Sequence, residues 1–283
     1  MHTHFEIWIV HPDGIYAEQT ARNAFQNLNA LEQNLSHFIP NSDISRLNTA
    51  PVNQSIRLND ETIRCLTHAV TLNKISKGTF DITIGPLVNL WKTEGHPSEK
   101  PIREAIRCIG MKHLRIDTKE NTAARICDGL QIDLGGIGKG FSVDHMAEQL
   151  KEWDIEHALI HGGASSVRAF GKPEGHQGWP VQISSPSGEN ILSQFVLRDE
   201  AMGASGLVKG AHIIDPRTAR PVSHHRAAWV RSSSATEVDG LSTAFMILQS
   251  EQIDKIIRNG LEISAWIIDD KDMSKQFGKW KKH

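Results

Sequence analysis

"IDLGGIGKGFSVD" (132–144) sets an acid, four glycines and one lysine between two apolar runs. Residues without side chains let a backbone approach a ligand closely. If a helix begins inside the stretch, its first N–H groups face an anion, and Lys139 adds a compact positive charge. All three features suit a phosphate. Neither standard phosphate loop is present, however. In the Walker pattern G-x-x-x-x-G-K-[ST], the position five before Gly138 is Asp133, and Lys139 is followed by Gly140; G-x-G-x-x-G is also missing. Two readings stand on the residues alone: a phosphate loop of another kind, or a tight strand-to-helix turn with a solvated lysine.

Working outward, 129–134 reads as a strand and 139–153 as a helix carrying Phe141, Met146, Ala147 and Leu150 in its apolar set. "HFEIWIV" (4–10) is a strand candidate, and 17–36 is an amphipathic helix through Ala21, Phe25, Leu28, Leu31 and Leu35. Pro40-Asn41-Ser42-Asp43 then breaks the pattern. A second helix spans 60–77, capped by Asn59 or Asp60 and stopped by Gly78. Residues 79–92 combine an extended piece with a turn at Gly85-Pro86. Strands follow at 113–117 and 157–163, and 164–235 is mostly β. A helix at 237–249 and a last strand at 263–270 precede a basic tail, 275–283, expected to fray. Long helices beside antiparallel-looking strands give an α+β class with mixed or antiparallel sheets and packed helices. At 283 residues the expectation is one domain, 1–283, or two intertwined subdomains.

Composition narrows the function. Lys+Arg is 31 against Asp+Glu 33, so a broad basic surface for nucleic acid is not expected. No run of about 18 apolar residues exists to span a membrane. The N-terminus lacks the pattern of a signal peptide. The sequence as it stands therefore reads as cytoplasmic, or periplasmic if a leader was removed. Cys65, Cys108 and Cys127 are odd in number and lack C-x-x-C spacing, and read as free thiols in a reducing compartment.

Further stretches decide what the glycine cluster serves. "NSDISRLN" (41–48), "GTFDITIGPLVNLW" (78–91), "HIIDPRTARPV" (212–222) and "TEVDGLSTAF" (236–245) stand in order around it. With them the chain, from residue 1 to about 250, resembles the ApbE-type flavin transferases. The resemblance implies a T-fold-like α+β body. It also implies an Mg2+-dependent FAD:protein FMN transferase, which moves the FMN half of FAD to a Thr or Ser of a target flavoprotein and releases AMP. Relatives that hydrolyse FAD to FMN and AMP make an FAD pyrophosphatase the alternative, and a non-catalytic FAD-binding protein is a third reading.

By the same resemblance, Asp239, Thr243 and the backbone carbonyl of Gly136 match the metal ligands. Asp239 and Thr243 stand four apart, so a helix puts carboxylate and hydroxyl on one face; on residues alone they also suit a helix-start capping pair. The FAD contacts fall on Met1, Phe38, Thr79, Phe80, Asp81, Asp133, Lys139 and Ile213. Phe38 stands where the family usually has a tyrosine. Phe80 alone reads as a core residue whose backbone makes any contact. His212 matches the general base, since imidazole titrates near neutral pH; a lone His is otherwise structural. Asp215-Pro216-Arg217 reads as a turn with a capping carboxylate. The chain departs from the family pattern at Met1-His2-Thr3, at Ala204-Ser205-Gly206 followed by Leu207-Val208-Lys209, and at Ala219, where the family's "DPRTG" form ends in glycine.

Overall fold

The computed structural model describes residues 3–186, 188–207, 210 and 212–280. In chain order the elements are β1 (Phe5–Ile9), α1 (Gly14–Leu35), α2 (Asp43–Thr49), β2 (Ile56–Arg57), α3 (Asp60–Ile75), α4 (Gly85–Glu94) and α5 (Glu99–Ile106). Then come β3 (Leu114–Asp117), β4 (Thr122–Arg125), α6 (Gly138–Glu152), β5 (Ala158–Gly162), β6 (Ser166–Phe170), β7 (Trp179–Ser184), β8 (Ile191–Leu197) and β9 (Glu200–Gly206). The chain closes through β10 (Ile214–Asp215), β11 (Arg220–Pro221), β12 (His225–Ser232), α7 (Ala235–Ile247), α8 (Ser250–Arg258), β13 (Ser264–Asp269) and β14 (Ser274–Phe277).

Alternating side chains divide the protein into layers. A seven-stranded antiparallel sheet runs β1-β5-β6-β9-β12-β13-β14. Ala228 and Val230 of β12, with Ala265 and Ile267 of β13, face the main core under α6 and α7. Ala227, Trp229, Trp266 and Ile268 point the other way, beneath the hairpin β7–β8, where Trp179, Ile183, Phe195 and Leu197 cover them. The helical layer is tightly filled: Phe245 of α7 is fully buried, and truncating such a ring costs about 3–5 kcal/mol. A three-stranded sheet, β2-β4-β3, packs against α2 and α3. A small cluster of Leu87, Ile102, Ile214 and Ala219 joins α4 and α5 to the β10–β11 ribbon.

The α+β class and the long elements agree with the sequence reading; the corrections lie where side chains replace backbone pairing. Residues 129–134 form no strand. Only Gln131 bridges Ile84, in parallel. Leu130, Ile132 and Leu134 are buried as alternation requires, but Asn48 stands in for a neighbouring strand. Its side chain accepts from Ile132 N (2.6 Å) and donates to Ile132 O (3.0 Å). Asn41-Ser42-Asp43 leads into a helix: the Ser42 hydroxyl caps α2 by accepting from Ser45 N at 3.0 Å. Gly85-Pro86 opens α4, where proline's missing N–H is harmless. The basic tail holds a strand, β14, with Phe277 and Trp280 buried against the sheet; residues 281–283 lie outside the described residues. Ala219, where the resembled motif ends in glycine, holds φ 57°, the left-handed region that favours glycine.

Candidate functional site

Two glycines let α7 nest between α6 and the sheet. A Cβ on Gly140 would stand 2.1 Å from Ala235 O and 2.7 Å from Asp239 Cβ. A Cβ on Gly203 of β9 would stand 2.4 Å from Val238 O. Asp144, one turn along α6, locks the contact. Its carboxylate accepts from Ala235 N and Thr236 N (2.9 Å each) and from the Ser234 and Thr236 hydroxyls (2.7 Å each). Arg168 of β6 pairs with it from the sheet. The free N–H groups at the start of α7 are thus met by a charge from its neighbour.

This frame fixes Asp239. The residue is 2% exposed. One oxygen accepts from Gly140 N at 2.9 Å; the other meets Ser166 Oγ at 3.2 Å and Lys139 Nζ at 3.4 Å. One turn on, Thr243 Oγ1 lies 3.3 Å from Asp239 O and 3.2 Å from Ser205 Oγ. Gly136 packs against both Thr243 and Phe80: a Cβ there would stand 3.3 Å from Thr243 Oγ1 and 3.1 Å from the Phe80 ring. Since the cap of α7 is Ser234, accepting from Glu237 N at 3.2 Å, Asp239 and Thr243 are not a capping pair.

These groups line a cleft of about 780 Å³. Thr79, Phe80, Asp81, Asp133, Gly136, Lys139, His212, Ile213, Asp239 and Thr243 all reach it. Phe38 does not. It is 66% exposed, tilted against His37 at 3.9 Å between ring centroids, with Lys92 Nζ 5.9 Å from its ring. A smaller cavity of about 220 Å³, lined by His37, Asn48, Gln131 and Ile132, shares Asp133 with the cleft. Met1 lies outside the described residues.

Local bonds explain how each residue is held. Phe80 is buried; its N–H donates to Ser76 Oγ (3.0 Å) and its carbonyl accepts from Asn73 Nδ2 (2.8 Å), so its N–H is already engaged and its ring forms the wall. Thr79 Oγ1 donates to Ser76 O at 2.8 Å. Asp81 accepts from the N–H and hydroxyl of Thr83 at 2.8 and 2.6 Å. Burial still raises its carboxyl above the ordinary range, against the bonds from Thr83 and Asn73. Asp133 accepts from Gly135 N at 2.7 Å. His212 is exposed, with Nδ1 2.9 Å from Gly210 O; a neutral ring donating there keeps Nε2 as an acceptor. Asp215 holds Arg217 in a turn, as the sequence suggested.

Sequence reasoning missed three contributors. Asp144 stands inside the opening stretch, but an acid within a helix reads as solvated; only the fold brings it to α7. Ser166 carries no motif of its own, and Ser205, though it stands in the Ala204-Ser205-Gly206 stretch, gains a role only once β9 lies beside Thr243.

The donors suit a hard cation. Asp239, Thr243 and a backbone carbonyl offer oxygen only. Among the described residues no cluster of three His, Cys, Asp or Glu that could hold a metal ion is present. The charged side chains lining the cleft include Asp81, Asp133 and Asp239 against Lys139. A diphosphate entering such a cleft needs a further positive charge.

The chain matches the ApbE family over residues 1–267. It is 28% identical over 270 residues to the FAD:protein FMN transferase of Haemophilus influenzae, covering 87% of this chain and 78% of that protein. To the FAD:protein FMN transferase of Buchnera aphidicola it is 30% identical, covering 77% and 69%. Among solved structures it resembles the flavin transferase ApbE from Vibrio cholerae, with TM-score 0.87 and 26% identity over 98% of this chain and 94% of that one. The flavinyl transferase ApbE from Pseudomonas stutzeri, in its apo form, aligns with TM-score 0.85 and 26% identity over 96% and 90%.

Proposed function

Because the chain belongs to the ApbE family, we propose that it is an FAD:protein FMN transferase, and that the cleft binds FAD with Mg2+. It moves the FMN half to a Thr or Ser hydroxyl of an acceptor flavoprotein and releases AMP. One observation carries this reading: the buried Asp239 carboxylate, the Thr243 hydroxyl and Gly136 converge with Lys139 at the first turn of α6.

The parts of the cleft divide the work. Ile84, Val88, Ile213, Ile214 and Trp229 offer an apolar wall to the flavin. Gly138 N and Gly140 N at the head of α6 are taken by Leu134 O and Asp239, so the Lys139 ammonium is the group that meets the diphosphate. Asp239, Thr243 and the Gly136 carbonyl would hold Mg2+, which when bound neutralises charge on the phosphate oxygens. His212 Nε2 takes the proton as the acceptor hydroxyl oxygen bonds to the phosphorus of FMN. The bond from that phosphorus to the AMP oxygen breaks, and AMP leaves with the electron pair. Ser166 and Gly140 N–H keep Asp239 aimed throughout.

Incubation with FAD and Mg2+, with and without a threonine-bearing acceptor, tests the proposal. AMP that forms only with acceptor, alongside covalent flavin, supports transfer. AMP without acceptor makes water the nucleophile and the protein a pyrophosphatase. FAD binding with no AMP under either condition makes it a carrier.

A further inference from the structure

A pair of thiols lies outside the lining of the cleft. Cys108 follows α5 and Cys127 follows β4, and their Sγ atoms lie 2.7 Å apart. A disulfide bond is about 2.05 Å long, so less than ~1 Å of movement separates contact from bond. Cys108 is 8% exposed and donates to Asp128 O at 2.6 Å, while Cys127 is half-buried and open to a small reagent. Gly129, beside Cys108 Sγ, holds φ +84°, a left-handed conformation that glycine favours. Among the described residues no third ligand makes the pair a metal site.

The pair joins two segments that deliver carboxylates to the cleft. From Cys108 the chain reaches Gly110, whose N–H donates to Thr83 Oγ1 at 2.7 Å; that hydroxyl donates to Asp81. From Cys127 it reaches Gln131, which bridges Ile84, and then Asp133. We propose that Cys108 and Cys127 form a reversible disulfide that staples these two segments together.

The oxidant is a disulfide, small or protein-borne. Burial, then the bond to Cys127, pushes the Cys108 thiol up to about 11, so the more exposed Cys127 attacks first. Its thiolate bonds to one sulfur of the oxidant and expels the other as a thiol. Cys108 then loses its proton and attacks Cys127 Sγ, expelling the second thiol. Two protein thiols are oxidised and one disulfide is reduced to two thiols. Cys65 takes no part: it is fully buried, and burial raises its thiol. The staple is independent of the reaction in the cleft.

Oxidised glutathione, added to the reduced full chain and followed by non-reducing peptide mass spectrometry and thermal melting, tests this. The expected product is a Cys108–Cys127 cross-link, lighter by two hydrogens, with Cys65 still a thiol. The melting midpoint should rise on the order of 5 °C, reversed by dithiothreitol. Cys108→Ser should keep glutathione on Cys127 and show no rise. A lasting glutathione adduct on wild-type Cys127, cross-links between chains, or a cross-link without a rise in midpoint would overturn the proposal.

Discussion

Asp239→Asn separates what this residue does for the fold from what it does in the cleft. The amide keeps the shape, and its oxygen can still accept from Gly140 N at the observed 2.9 Å. What it loses is the ion pair with Lys139, 3.4 Å away. Breaking a sealed pair costs about 3–5 kcal/mol. The Lys139 side chain is 24% exposed and can turn to water, so the loss falls to about 1–2 kcal/mol. For a chain of this size that lowers Tm by about 2–8 °C. Asp239→Ala is harsher, because Gly140 N–H and Ser166 Oγ both lose a buried partner at about 1–3 kcal/mol each. Thermal melts measure the first effect, and AMP release over an Mg2+ titration measures the second. Even indirect partners of a metal ligand are worth about 10–100-fold, so losing the sole carboxylate ligand should lower AMP release by more than ~100-fold. An Asn variant with wild-type AMP release and Mg2+ requirement would refute the ligand role. One that fails to fold would refute the apportionment of stability.

Gly140→Ala should lose about 3 kcal/mol or more in urea unfolding, since the clash is with the Ala235 carbonyl. Gly138→Ala, whose nearest atom is Leu134 Cβ at 3.9 Å, should stay within about 1 kcal/mol of wild type; equal stability of the two variants would contradict the close packing of α6 on α7. His212→Asn should bind FAD as wild type does in a fluorescence titration, but transfer FMN about 10²–10⁴-fold more slowly; an unchanged rate would place the base elsewhere. Because burial raises the Asp81 carboxyl in the fold, its contribution to stability is full below the ordinary carboxylate range and is lost as pH rises through the raised value. Asp81→Asn should therefore melt higher than wild type at neutral pH, with the gain shrinking as pH falls; a pH-independent difference would contradict it.

Much of this was legible in the sequence because period and motif are local. The α1 stripe of Leu28, Leu31 and Leu35, the apolar runs of β12 and β13, and the i,i+4 pair Asp239–Thr243 depend on neighbours within a few turns. The glycine cluster showed that something approaches closely, without showing what. At Gly140 the approaching group is α7 itself, and at Gly136 it is Thr243 and Phe80. What stayed hidden depends on contacts distant in sequence. Asn48 replaces a strand 84 residues away, and Asp144 caps a helix some 90 residues on. Motif position puts Phe38 among the FAD contacts, yet it lies against His37 and Lys92 and is not among the residues lining the cleft. The thiol pair does not meet C-x-x-C spacing because its members stand 19 positions apart.

Stoichiometry is the most direct test of the central claim, that the Asp239–Thr243–Lys139 cluster supports FMN transfer. Wild type is mixed with FAD, Mg2+ and a flavoprotein bearing an acceptor threonine; released AMP is counted, and the intact mass of the acceptor is measured. One FMN should be gained by the acceptor for each AMP released, and neither product should form with Thr243→Val, which removes one hydroxyl while keeping the side-chain shape. AMP accumulating while the acceptor mass stays unchanged, or full transfer by Thr243→Val, would contradict that claim.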